Sequence, residues 1–491
     1  MVHFAVHEIA FAVAFAHDPN ESKWDWGINM PKARLIEAAL PEFGVPDTRP
    51  ELDRSIYRER LGALGRARRA AGLDVLVVYA DREHAANLAW LTGFDPRFEE
   101  ALLILAPQSE PTMLVGPENL QRAGNAGIEV AARLYPPFGL MGQDRSKTPA
   151  LDEAMRHAGI DRNHRVGVLG WKYFGPHEAS KPESWLEIPS FIADSLRQLV
   201  GPEGRVVNAN ALLMDPVSGL RAVNEVVQIA QFEFGAVACS EAVKALIRNV
   251  KPGMSGFEAV QQMRLGVLPH SCHTMFSSGN DLIGLNSPTG RRLEKGDPMS
   301  SAVGYWGGLS SRMGWLAEDA ADLPEVARDY VERLAGPYFL CAAEWYETIG
   351  IGVAGGTLDA LARKHLDNPF FKLVLNPGHL IHIDEWMNTP VYPGSTEAFV
   401  SGQCVQVDII PAAGPPYHGA NIEDGIALLD ERGRDQMRDE FPDVWDRIEA
   451  RRAFMADVLG IRLKPEVLPL SNLAGAMPPF WLSPATIVRR A

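Results

Sequence analysis

The chain has 491 residues, 46% of them hydrophobic and 22% charged, with a formal net charge of −15 and a pI near 5.4. That length is enough for two well-buried domains, and the composition excludes a disordered or low-complexity protein. The acidic balance argues against a nucleic-acid partner, which would need a basic surface, and points to small metabolites or peptides.

The start of the chain, residues 1–19, is apolar. It lacks a basic leading region and carries two histidines and a glutamate within the apolar run, so it reads against an export signal. No other segment holds about 18 uninterrupted apolar residues, so no membrane span is expected. Residues 1–50 read as an extended arm. Helical spacing of apolar residues then runs over 54–71 and stops at Gly72, and Leu73 to Tyr79 reads as a buried strand. A short helix and turn over 87–93 follows, with strands over 101–105, 112–115 and 165–169, giving an α/β domain over 51–215. A long amphipathic helix over 223–250, closed by Lys251-Pro-Gly, opens a second domain, 216–462. Its short apolar strands and glycine turns, its helical region over 323–366 and its closing helix over 443–459 predict an α+β domain with a curved antiparallel sheet. Residues 463–491 read as a proline-rich tail. No internal repeat of 20 to 50 residues is evident. Cys239, Cys272, Cys341 and Cys404 have no short metal-binding spacing and read as reduced cytosolic thiols.

Four segments of the second domain concentrate unusual polar residues: 276–312, 376–386, 402–411 and 418–425. His379, His382, Asp384 and Glu385 are flanked by apolar Leu380, Ile381 and Ile383. On a regular strand they alternate between faces, so they converge only if the backbone turns. One buried histidine with solvated carboxylates is as good a reading as a site. Asp408 lies in the apolar run 405–411, where an unpaired carboxylate is costly. Glu423 and Asp424 follow a Gly-Ala turn and read equally as a strand-edge pair. A histidine beside buried carboxylates is also what general acid–base chemistry requires.

These landmarks resemble the catalytic domain of the creatinase and aminopeptidase P superfamily, which has the pita-bread fold. That family orders Gly-Asp, an Asp five residues on, Asp-x-x-Arg, Gly-His, Glu-Pro and Arg-x-Glu-Asp. Here Gly296-Asp297, Arg312, Gly378-His379, Asp408 and Glu423-Asp424 fall in the same order, and Asn87-Leu-Ala-Trp-Leu-Thr-Gly-Phe resembles the family's Asn-x-x-Tyr-Leu-Thr-Gly-Phe. The implied architecture is α+β overall: an N-terminal creatinase-like α/β domain, then a pita-bread domain.

The departures matter as much as the matches. Ala302 stands where the family has its first metal-bridging aspartate and Leu309 where it has the second, so two divalent ions would lack their bridge. Asp408 replaces a longer glutamate, and Trp386 stands where the peptidases often carry a second histidine. No cofactor is expected on this reading; the alternative is one divalent ion held by His379, Asp408 and Glu423.

Creatinase is similar in lacking the metal, and the stretch from Gly279 to Arg291 resembles its Gly-x-Asn-Thr-x-Gly-x-x-Asn-Pro-x-Thr-x-Arg stretch with slight spacing changes. Leu285, beside Asn286, stands where creatinase has its catalytic histidine. The resemblance therefore implies a metal-independent hydrolase cleaving a C–N bond of a small carboxylate-bearing nitrogen compound. His379 would transfer the proton, with His382 or His418 as alternatives, and Asp408 and Glu423 would orient it and hold the substrate nitrogen. Arg97 or Arg312 would bind the carboxylate. Arg97 pairing with Glu99 or Glu100 is the structural alternative. Asn286, Tyr305, Trp306, Glu385, Trp386 and His418 would line the substrate side, and Tyr305, Trp306, Trp315 and Trp386 could form an aromatic pocket for a cationic group. Rival readings are a mononuclear-metal Xaa-Pro peptidase-like hydrolase, an enzyme similar to the dimethylsulfoniopropionate lyases, whose His-x-x-Gly-x-x-Asp-Glu segment looks like the stretch from His379 to Glu385, and a non-catalytic binding protein. Related enzymes imply a cytoplasmic homodimer.

Overall fold

The computed structural model describes residues 32–279 and 284–491. The apolar start of the chain and residues 280–283 of the creatinase-like stretch lie outside them.

β1 (Ala33–Glu37) precedes the first domain. There the helix Arg54–Ala70 starts where the Asp53 carboxylate accepts the backbone N–H of Ser55. β2 (Val75–Ala80), β3 (Ala101–Leu105), β4 (Thr112–Val115), β5 (Ala131–Leu134), β6 (Arg165–Leu169) and β7 (Arg205–Asn208) form a six-stranded mixed sheet in the order β5-β4-β3-β2-β6-β7. β2 is buried along its whole length, because alternate side chains enter two different cores. Val75, Val77 and Tyr79 meet Ile192 and Leu196 of the helix Ser190–Val200, whereas Leu76 and Val78 share a core with Leu64 and Trp90.

The second domain opens with the helix Val226–Asn249, within the span the sequence predicts. Its sheet comprises β8 (His270–Ser278), β9 (Pro298–Tyr305), β10 (Gly308–Trp315), β11 (His379–Leu380), β12 (Cys404–Asp408) and β13 (Ile422–Leu428), in the order β11-β12-β13-β10-β9-β8, with β14 (Val467–Pro469) also on β13. Every pairing is antiparallel. The predicted helical region over 323–366 contains one 3₁₀ turn, a π-helical turn and two helices, Gly336–Thr348 and Gly355–Leu366.

β15 (Thr486–Arg490) pairs antiparallel with β1 along five residues. The stretch expected as a tail thus closes the domain: Trp481, Ile487 and Val488 are buried in its core.

Two tight turns aim the sheet at the site. Gly307 sits at the β9–β10 hairpin tip at φ +87°, with Phe232 where a Cβ would lie. Gly378 has φ +124° and lies against the Trp345 ring, so the entry into His379 needs glycine.

Candidate active site

Strand register gathers the polar residues. Directly opposed residues share a face of a sheet, and one row runs Met275–Ala302–Ser311–Glu423–Asp408 across five strands. His379 opposes Gln406, two residues before Asp408, so it belongs to the same face. Ala302 and Leu309 face the same way, in the row and one pleat from it, and both lie in an apolar cluster.

Beyond His379 the chain turns at 382–384, which is how Glu385 joins this face. The Nε2 atom of His379 lies 3.3 Å from a Glu385 oxygen and 3.9 Å from one oxygen each of Asp408 and Glu423. None of these is a hydrogen bond: among the described residues Nε2 of His379 and Oδ1 of Asp408 are buried without a partner, while Nδ1 of His379 faces the Leu380 carbonyl at 3.2 Å. Burial, then the Glu423 charge, holds the Asp408 carboxyl well above its usual range, although His379 pulls the other way. Glu423 is likewise pushed well up by burial and by Glu385 and Asp424. The Trp386 ring stacks on His379 at 4.1 Å and 17°.

The cluster underlies one wall of a cavity of about 570 Å³ between the two domains. Ile383, Asp384, Glu385 and Trp386 form that wall, Trp306 and the bulged start of β8, His270 to Cys272, form a second, and the first domain adds residues 82–86, Asp95, Arg97 and Trp171. His379 itself is fully buried, so Glu385 and Trp386 are the cluster's contact with the cavity.

The other expected site residues are distributed differently. Arg312 is wholly buried on the opposite face of the sheet, where it pairs with Asp424 at 2.5 Å and donates to the Ala476 carbonyl. It has no guanidinium left for a substrate carboxylate. His382 lies against Arg221, with Nδ1 3.1 Å from the guanidinium and its ring edge-on to Phe232; burial and the charges of Arg221 and Arg60 keep it neutral, well below its usual range. Tyr305 is buried, its hydroxyl accepting the Gly266 N–H, and neither it nor Trp315 lines the cavity. His418 packs edge-on to Trp315, and Asn286 accepts the Phe276 N–H through its backbone; both are outside the lining. Arg97 does line the cavity, and its partner is Asp95 at 3.1 Å rather than Glu99 or Glu100. Glu99 is instead buried against Asn119, and Glu100 accepts from Tyr79.

Sequence reasoning passed over three groups. Gln406 donates to the Leu309 carbonyl at 2.6 Å, and its parity with Asp408 on an apolar strand was the available signal. Arg221 reaches Asn87 of the first domain at 2.6 Å and forms an ion pair with Asp384, clamping the turn that carries Glu385. Asp81 and His84 sit in a loop with no periodicity to mark them.

As for a metal, His379, Glu385 and Glu423 offer ligand atoms within 4.8 Å of one another. The partnerless Nε2 of His379 and the Glu423 carboxyl, pushed well above its usual range by burial and by the Glu385 charge, fit one cation. Two ions do not fit, since Ala302 and Leu309 supply no bridging oxygen.

No family model matches the sequence, and no curated protein does either. Solved structures do. The Xaa-Pro dipeptidase from Bacillus anthracis aligns at a TM-score of 0.56 and 15% identity, over 77% of this chain and 96% of its own. The prolidase from Pyrococcus horikoshii OT3 aligns at 0.57 and 15%, over 76% and 95%. Dipeptidase PepE from Mycobacterium ulcerans aligns at 0.53 and 19%, over 77% and 95%. Identities this low show fold alone and leave the chemistry to the residues: the chain has the α+β fold of these solved structures, with two separate sheets.

Proposed function

We propose that the interdomain cavity is the active site of a hydrolase that cleaves a C–N bond in a small nitrogen compound bearing a carboxylate. The observation that carries the reading is the convergence of Glu385, Asp408 and Glu423 on a buried, partnerless His379 Nε2, with no lysine or arginine among them. A positively charged substrate nitrogen beside Glu385 would relieve that crowding. The attacking water would give its proton to Glu385, 3.3 Å from the imidazole that can store it. Asp408 and Glu423 then stabilise the imidazolium. Arg97, 57% exposed at its side chain and tied among the described residues to Asp95, is the group for the carboxylate end. It lines the cavity of its own chain. The proposal includes a metal-independent mechanism in a cytosolic homodimer.

A second reading has a specific observation behind it. One divalent cation on His379, Glu385 and Glu423 would make a mononuclear hydrolase, and the solved structures of like fold are named as Xaa-Pro dipeptidase, prolidase and aminopeptidase. Such an ion would supply Lewis acidity and lower the pKa of a bound water.

Elemental analysis of protein purified without chelator, with turnover of a panel of amides, amidines and Xaa-Pro dipeptides before and after EDTA, separates the two. Less than about a tenth of an equivalent of transition metal with EDTA-resistant turnover supports the first reading. Near-stoichiometric metal with EDTA-sensitive turnover replaces it with the second.

A further inference from the structure

The cavity wall opposite Glu385 and Trp386 contains a second acid–base pair, in the loop between β2 and the helix Ala86–Thr92. The Asp81 carboxylate accepts the backbone N–H of Glu83 at 2.9 Å and of His84 at 2.8 Å, which sets the loop. The same carboxylate lies 3.2 Å from Nδ1 of His84. Nε2 of that ring has no hydrogen bond among the described residues. The ring rests on Trp171 at 4.9 Å, its side chain is 34% exposed, and it lines the cavity. Holding the loop needs only the carboxylate, so the imidazole is free for another task. An imidazole tied through Nδ1 to a carboxylate, with Nε2 open, is an oriented proton carrier.

The cavity's other histidine lacks such a partner. His270 packs on Tyr305, and burial lowers its pKa. His379 is sealed beneath Trp386.

We infer that His84, oriented by Asp81, is the general acid that protonates the leaving nitrogen. The inference rests on the hydrolase reading above. Water oxygen bonds to the electrophilic carbon and one water proton passes to the Glu385–His379 pair. The C–N bond breaks with its electrons going to nitrogen, which takes the proton from Nε2 of His84. Exchange with solvent then reprotonates His84 and clears the Glu385–His379 pair, so the sum is substrate plus water. The electrostatics agree: the Asp81 hydrogen bond raises the His84 pKa against the opposing effect of burial, with Asp81, Glu187 and Glu83 adding their charges. Burial alone would raise Asp81, but hydrogen bonds from the His84 ring and backbone take it down to about 2. Arg82 adjoins the pair in sequence, and Lys172 lies over the Trp171 ring.

The test compares wild type, His84→Gln, His84→Ala, Asp81→Asn and His379→Gln on small amino-acid amides with alkylamine leaving groups and on the matching p-nitroanilides. An anilide needs little help from an acid. His84→Gln should therefore lose about 100-fold or more in kcat on the alkylamides, keep most of its kcat on the anilides, and hold KM within about threefold. Added imidazole should restore part of the His84→Ala rate. Asp81→Asn should move the alkaline limb of the kcat profile to lower pH, because the acid form of His84 loses its carboxylate partner. Undiminished alkylamide turnover by His84→Gln, with His379→Gln inactive, would overturn the inference and leave the hydrolase reading standing. Failure of wild type to hydrolyse any compound of either set would overturn both.

Discussion

Consecutive residues of β13 meet opposite fates. Asp424 points to the face where Arg312 pairs with it at 2.5 Å, Ser471 and Ser310 donate to its other oxygen, and the Gly475 N–H completes the set. Glu423, one residue earlier, points to the face where His379, Glu385 and Asp408 gather and where Nε2 of His379, Oδ1 of Asp408 and Oε1 of Gln406 have no partner among the described residues. One sheet thus buries charge in two ways. The satisfied network fixes the structure, since each donor there has an acceptor and nothing is left for a ligand. The unsatisfied one costs stability and is retained in a form a ligand can complete.

That contrast can be broken most forcefully at Arg312. Arg312→Ala leaves Asp424 buried without its cation and should cost about 3–5 kcal/mol in urea unfolding, whereas Arg312→Met with Asp424→Leu should be far milder. Equal losses in the two variants would mean that packing, not charge pairing, governs that face. On the other face, a divalent cation titrated into metal-free protein should raise stability by about 2.7 kcal/mol at one hundred times its Kd. The gain should vanish in Glu385→Gln; a flat response would indicate that protons, not a cation, neutralise the cluster. Asp408→Asn should have the smallest effect and the opposite sign from Arg312→Ala, a gain on the order of 1 kcal/mol at neutral pH in metal-free protein. Its pH dependence has a definite direction. The Asp408 and Glu423 carboxyls are raised in the folded state, so their contribution is fully present below the ordinary carboxylate range and is lost as pH rises through the folded values. The Asp408→Asn gain should therefore shrink as pH falls toward 4; growth on acidification would refute the assignment.

The fold was legible because its signals are local. The apolar run of β2, the helix stop at Gly72 and the long helix opening the second domain follow from spacing and turn chemistry alone. The site was legible where parity and motif spacing coincide, as at His379, Asp408 and Glu423, which the sheet register aligns. Arg312 shows the limit. The motif order names it for a substrate carboxylate, but its side chain points to the far face and pairs with Asp424. His382 and Arg221 show another: their pairing spans 161 positions, a distance no spacing rule reaches. His84 and Asp81 left no trace because loop geometry, not periodicity, brings them to the cavity.

The ribbon of β1 and β15 has a consequence for synthesis. The two strands are separated by roughly 450 residues of chain, so at ribosomal speeds β1 waits on the order of half a minute or more for its mate. Until then Ala33 and Leu35 lack the apolar neighbours they pack against in the finished domain. The first sheet, complete at β7, can fold while the second is still being made, and the second sheet's core closes last. A nascent chain paused late in translation would be a folded first domain trailing an open second one, a natural client for a chaperone that recognises exposed strand edges.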